Sequence, residues 1–232
     1  MFGLARPCGV ILCVTVVLLA GCGRRHEPAV TALPGSWQKT FPFDRMDVDK
    51  TPPHFAVDLT HGGSPAAWLV KIDSRAASGR KVLAQVSTDP RKDRYPLCIH
   101  NDFVARDIAV SVQFKAMTGK VDQAAGIVVR YLDRDNYYVT RANALENNVR
   151  FYKVEKGKRI QLADAKVEVT ARQWHTLELK AQADTFDVYY DGRPVIHAED
   201  KTFDEPGRVG LWTKADSVTF FDDFKFRQLP AR

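Results

Sequence analysis

From Ile108 onward, apolar and polar positions alternate along this chain with period two. Ile108, Val110, Val112 and Phe114 are apolar, while Ala109, Ser111, Gln113 and Lys115 between them are small or polar. That pattern predicts a strand with one buried face. It recurs over 126–131, 137–143, 148–154, 173–180, 186–190, 195–198, 209–213 and 218–226. Between these runs lie turn-forming segments: Asp133-Arg134-Asp135-Asn136, Glu155-Lys156-Gly157, the hairpin dipeptide Asp191-Gly192, and Lys214-Ala215-Asp216-Ser217. No window of helical length has a clean 3.6 period. Many short strands, about ten residues apart, predict an all-β antiparallel two-sheet sandwich or barrel, and about 200 residues suits a jelly roll.

The N-terminal third is less regular. Strands are expected over 68–72 and 81–86, with breaks at Thr51-Pro52-Pro53 and His61-Gly62-Gly63. Nothing between Val86 and Ile108 reads as a linker, so this third is expected to complete the same two sheets as one domain over 37–229.

Ahead of that domain, Arg6 precedes an apolar run that begins at Val10 and ends in Leu19-Ala20-Gly21-Cys22. About eleven residues are too few to span a bilayer, which takes roughly 20, and fit a secretory signal. Small residues directly before a cysteine resemble the bacterial lipoprotein signal. The resemblance implies cleavage after residue 21, a mature chain starting at Cys22, and acyl chains on that cysteine. Several chains at about 0.8 kcal/mol per buried methylene would hold the protein on a membrane without a helix of its own. Residues 22–36, with two prolines, two arginines and no apolar period, read as a flexible tether. The expected location is the cell envelope, outside the cytoplasm. Gly23 after the lipidated cysteine, rather than aspartate, favours the outer membrane where there is one.

The formal net charge is +6, or +5 once Arg6 leaves with the signal. Basic and acidic residues are interspersed, which argues against a nucleic-acid partner. Of four cysteines, Cys8 and Cys13 would leave and Cys22 would carry lipid, so Cys98 is left alone. It reads as a small core residue, with neither a disulfide nor a thiolate metal cluster available.

At Gly126-Ile127-Val128-Val129-Arg130-Tyr131, Asp135-Asn136-Tyr137-Tyr138, Trp174-His175-Thr176-Leu177, Asp191-Gly192, Gly207-Arg208-Val209-Gly210-Leu211-Trp212 and Phe221-Asp222-Asp223-Phe224, the chain resembles a concanavalin A-like lectin/glucanase domain. It is most similar to laminin-G-like and 3-keto-disaccharide hydrolase-like secreted domains. The resemblance covers about residues 40–228. It implies a jelly roll whose concave sheet often holds carbohydrate and whose rim often holds calcium. Fold alone does not assign function.

An enzyme of this fold needs two carboxylates on one face. The Glu-x-Asp-x-x-Glu and Glu-x-Asp-x-Glu strand motifs of family 16 hydrolases are both absent. Glu168 and Glu178 have no acidic residue two positions away, and Asp222-Asp223 are adjacent. The six histidines form no metal-ligand spacing, and no Gly-x-Ser-x-Gly elbow occurs. A hydrolase acting on a modified disaccharide or glucoside therefore stands as an alternative, without catalytic residues to name. A module contacting an envelope protein is the third class.

The candidate ligand face comes from strand parity. Arg130 lies opposite Ile127, Val129 and Tyr131. Tyr137, Arg141 and Asn143 share a parity, as do Asn148, Arg150 and Tyr152. On neighbouring strands, Arg130, Tyr137, Arg141, Asn143, Asn148 and Arg150 would offer a glycan planar donors, amides and rings. A solvated outward face is the plain alternative. Asp222 shares parity with Phe220, Phe224 and Phe226, so it needs a hydrogen-bond partner or a metal. With the resemblance, that makes it a candidate calcium ligand, with Asp58 as partner. Trp174 and Trp212 are expected in the core.

Overall fold

The computed structural model describes residues 1–3 and 37–231. The expected signal, Cys22 and the tether lie outside the described residues. Among the described residues fifteen strands occur in the order β1 (Lys39–Phe41), β2 (Phe55–Thr60), β3 (Trp68–Ile72), β4 (Lys81–Gln85), β5 (Tyr95–Ala105), β6 (Ile108–Thr118), β7 (Ala124–Asp133), β8 (Asn136–Asn143), β9 (Asn148–Glu155), β10 (Lys158–Lys166), β11 (His175–Gln182), β12 (Thr185–Tyr190), β13 (Arg193–Glu199), β14 (Gly207–Trp212) and β15 (Val218–Gln228). They form two antiparallel sheets. One has eight strands in the order β13-β12-β11-β6-β15-β4-β3, with β1 also paired to β15. The other has seven, in the order β10-β9-β8-β7-β14-β5-β2. The fold is the antiparallel jelly-roll sandwich that the alternation and the resemblance predict. No described helix is long and apolar enough to cross a membrane.

Turn chemistry explains the hairpins. Asp191 and Gly192 have φ of 47° and 72°, and Lys156 and Gly157 have 51° and 78°. Positive φ at both central residues is the twist that joins adjacent antiparallel strands in a two-residue turn. The first hairpin sets β12 beside β13 and the second sets β9 beside β10.

Between the sheets, Ile127, Val129, Tyr138 and Phe151 pack toward Val110, Val112, Leu177, Leu179 and Phe221. Each such side chain, fully buried, contributes about 1.5–3 kcal/mol. Cys98 is free and buried in this core, and burial raises its thiol pKa. A second cluster covers the opposite face of the seven-stranded sheet: Tyr95, Leu97, Ile99, Val128, Tyr131, Tyr137, Val139, Tyr152, Val154 and Trp212. That sheet is therefore apolar on both faces. Accordingly β5 opens with six consecutive buried residues and shows no period-two signal.

The seven-stranded sheet curls over its second cluster. β10 and β5 are five strand spacings apart, about 24 Å across a flat sheet. Even so, the Arg159 guanidinium carbon on β10 lies 4.9 Å from the centre of the Tyr95 ring on β5. This face is the concave one.

The structure corrects three expectations about parity. Arg130 has φ of 48° and sits where the β7–β8 register shifts between Val129 and Asp133. The extra residue turns its side chain away from the ligand face toward Phe186 and Tyr138, at one end of the core. Gly207 accommodates that bulge, since a Cβ there would lie 2.4 Å from the Arg130 carbonyl carbon.

In β15 the register shifts between Asp222 and Lys225, with Asp223 at φ 48°. Phe221 and Phe224 enter the core, while Asp222 pairs with Gln113 instead of lying with the phenylalanines.

Trp174 is half-buried outside the core. It precedes β11 by one residue, out of phase with inward Leu177 and Leu179. Its indole donates to the Arg75 carbonyl at 2.6 Å and lies under Lys115 at 4.6 Å. Trp212 is fully buried, but within the concave-face cluster rather than between the sheets.

Candidate functional site on the concave face

The registers of β8 and β9 set Arg141 opposite Arg150 and Asn143 opposite Asn148. Two like charges directly across strands repel. Glu146, in the turn that joins these strands, bridges them: its Oε2 accepts from Arg141 at 2.8 Å and from Arg150 at 3.0 Å. Burial alone would raise the Glu146 pKa, but Arg141, the Asn148 amide and Arg150 hold it below the usual carboxylate range. Arg141 also donates to the Asn148 side-chain oxygen and, at 3.2 Å, to the Tyr152 hydroxyl. Arg150 donates from Nε to Asp164 at 2.9 Å.

Asn143 is committed on both ends. Its amide donates to Asp122 at 2.5 Å, and its oxygen accepts from the backbone N–H groups of Leu145 and Glu146. Asp122 in turn pairs with Lys214 at 2.5 Å. Alongside this polar end lies the aromatic end. Tyr131 stacks on Tyr137 and Tyr95 on Trp212, with ring centres 5.9 and 5.4 Å apart. Gly126 leaves room for the Trp212 ring, because a Cβ there would stand 3.2 Å from it.

The structure brings together five of the six expected ligand residues. Tyr137, Arg141, Asn143, Asn148 and Arg150 share this face, and Arg130 does not. Its guanidinium instead donates to the backbone carbonyls of Arg106 and Phe203, at 3.0 and 2.9 Å, and of Ala183. Burial lowers its pKa. Tyr137 is sealed, with its hydroxyl on Thr60, and burial raises its pKa. Arg141, Asn143 and Asn148 are buried within the network. Arg150 keeps 29% of its side chain exposed and is the member open to a ligand.

Glu146, Arg159 and Trp212 belong to the same face, and strand parity alone does not single them out as ligand residues. Tyr152 shares the parity of Arg150. Arg159 comes two residues after the Lys156-Gly157 turn, which is the one local signal pointing to it.

The expected calcium pair is not brought together. Asp58, on the seven-stranded sheet, accepts from the Tyr131 hydroxyl at 2.6 Å. Asp222, on the other sheet, accepts from the Ser78 and Asp223 backbone N–H groups, each at 2.7 Å. Burial pushes the Asp222 carboxyl up to about 6. These hydrogen bonds answer the need of a buried carboxylate without a metal. Among the described residues no group of three or more His, Cys, Asp or Glu side chains could hold a metal ion.

Residues 101–205 match the family described as the beta xylosidase C-terminal concanavalin A-like domain. A levanase of Bacillus subtilis (strain 168) is 33% identical over 91 residues, which are 38% of this chain and 13% of the levanase. The chain thus spans only a small part of that relative.

Among solved structures, the carbohydrate binding module CBM66 from Bacillus subtilis superposes with a TM-score of 0.57 at 21% identity, over 74% of this chain and 95% of the module. A Bacillus subtilis protein of unknown function with a galectin-like fold gives 0.56 at 10%, over 85% and 98%. The VIP36 exoplasmic/lumenal domain in its Ca2+/Man-bound form gives 0.53 at 13%, over 78% and 85%. The chain has a concanavalin A-like fold.

Proposed function

We propose that this protein is a carbohydrate-binding lipoprotein, carried on a membrane by acyl chains at Cys22, that takes a glycan on the concave face of its seven-stranded sheet. The observation that carries the reading is Arg150. It is the partly exposed guanidinium in a network of guanidinium, amide and carboxylate groups set beside tyrosine rings, and sugars need paired planar donors together with an apolar platform. The likeness to the carbohydrate binding module CBM66, to the Ca2+/Man-bound VIP36 domain and to a stretch of a levanase supports a sugar as the ligand class.

A glycan array with the full chain in detergent, and then product analysis of each hit, tests the reading. The expected result is binding with the oligosaccharide left unchanged, weakened about ten- to a hundredfold by Arg150→Ala, as for loss of a charged hydrogen-bond donor. Unchanged affinity in a folded Arg150→Ala variant removes this face as the site. For the anchor, metabolic labelling with a fatty-acid analogue should mark the wild type and leave Cys22→Ala unlabelled. Equal label in both refutes lipidation at Cys22.

A further inference from the structure

Most charges on the concave face are answered by a neighbour. Glu146 serves Arg141 and Arg150, Asp164 serves Arg150, and Asp122 serves Lys214. Asp58 is occupied by Tyr131. Arg159 is the exception: no carboxylate lies within 4.0 Å of it among the described residues. Its guanidinium carbon stands 4.6 Å from the Tyr152 ring centre, 4.9 Å from Tyr95 and 5.8 Å from Trp212. Its Nη1 is buried and has no hydrogen-bond partner.

Ring faces attract a cation but accept none of its hydrogen bonds in the plane of the guanidinium. A partly buried guanidinium with an N–H that lacks a partner is matched best by a planar or tetrahedral anion, which takes two such bonds at once. The surroundings agree in sign. Arg141, Arg150, Arg159, Arg208 and Lys214 face Glu146, Asp122, Asp164 and Asp58, which leaves one positive charge over.

We infer that the glycan taken by this face is acidic, and that its carboxylate or sulfate group docks on Arg159 within the Tyr95, Tyr152 and Trp212 rings. The inference rests on the carbohydrate-binding reading above and adds the charge of the ligand. Arg159 is a specificity-determining residue, with the rings holding its guanidinium flat and presenting one edge.

Calorimetric titration of the full chain with matched pairs tests this: tetragalacturonate against its methyl ester, and a sulfated disaccharide against its unsulfated parent. At least one acid form should bind about ten- to a hundredfold tighter than its neutral partner, with the difference shrinking as salt rises. The carboxylate and sulfate arms tell the two anions apart. Arg159→Gln should bring the members of the pair to equal affinity, and Arg159→Lys should keep part of the preference. Melting temperature confirms that each variant is folded.

Equal affinity for acid and neutral forms in the wild type, or a preference that survives in Arg159→Gln, overturns the acidic-ligand inference. In the first of those cases neutral binding leaves the carbohydrate-binding reading standing. Failure of every acid and neutral form to bind, with an empty glycan array, overturns both. Should Arg159→Gln fail to fold, the wild-type comparison and the Arg159→Lys variant decide.

Discussion

The hydroxyls of Thr60 and Tyr137 meet at 2.8 Å, although β2 and β8 are four strand spacings apart in the sheet, about 19 Å if it lay flat. This bond, the Tyr131 to Asp58 bond and the reach of Arg159 to Tyr95 are all closed by the curl of the sheet. At the aromatic end of the concave face the rings pack on one another with Arg159 among them, and the Arg141 and Arg150 network lies at the other end.

Glu146 separates two arginines that face each other across β8 and β9. Glu146→Ala should destabilise the fold by about 1–3 kcal/mol, the cost of removing the carboxylate that buried Arg141 shares with Arg150. Raising the ionic strength should recover part of that loss, because salt screens the exposed share of the repulsion. Thermal melts of wild type and variant at low and high salt measure both effects. A variant that melts with the wild type shows that Glu146 does not offset the pair.

Arg130 satisfies three backbone carbonyls at the end of the core. Arg130→Ala should lower stability by about 3–5 kcal/mol, as removal of one partner from a buried charged network does. A chemical-denaturation midpoint close to wild type is the contrary result.

Trp174 has one hydrogen bond and one cation contact outside the core. Trp174→Ala should therefore cost roughly 1–2 kcal/mol, whereas Phe221→Ala, at a fully buried position, should cost about 3–5. Melts of the two variants side by side check the ranking, and an equal loss would return Trp174 to the core.

Asp222 has a folded-state pKa of about 6, above its ordinary 3.8. The folded state then binds the proton more tightly than the unfolded chain, so this group's contribution is full below about pH 4 and lost as pH rises to about 6. The shift corresponds to a loss on the order of 2–3 kcal/mol. Other groups titrate nearby, His175 among them, its pKa raised by Asp191 against the lowering effect of burial. The diagnostic quantity is accordingly the difference in melting temperature between wild type and Asp222→Asn. It should move against the wild type between pH 4 and 6 and stay level above. A difference independent of pH contradicts the assignment.

Where alternation is clean, as in β6, β8 and β9, element and parity are legible in the sequence, and the pairing of Arg141, Asn143, Asn148 and Arg150 comes with them. β5 escapes because burial on both faces erases its period, and β10 because it is a polar edge strand with only intermediate burial at best. Arg130 and Asp222 are misplaced for a shared reason. One inserted residue reverses the facing of every later residue in its strand, and its local sign, a left-handed backbone at a non-glycine residue, is a conformation rather than a residue type. Arg159 is hidden by distance along the chain, since only Tyr152 lies on its neighbouring strand β9, while Tyr95 and Trp212 come from β5 and β14, which the curl brings to it.

Cys98, alone in the core with its thiol held protonated by burial, gives the molecule an internal clock. A maleimide in bulk solvent reaches Cys98 only in molecules that have opened the sandwich, so the rate of labelling at that residue, read by peptide mass at fixed pH, counts openings. One native sulfur thus reports how often the two sheets come apart, with no engineered probe.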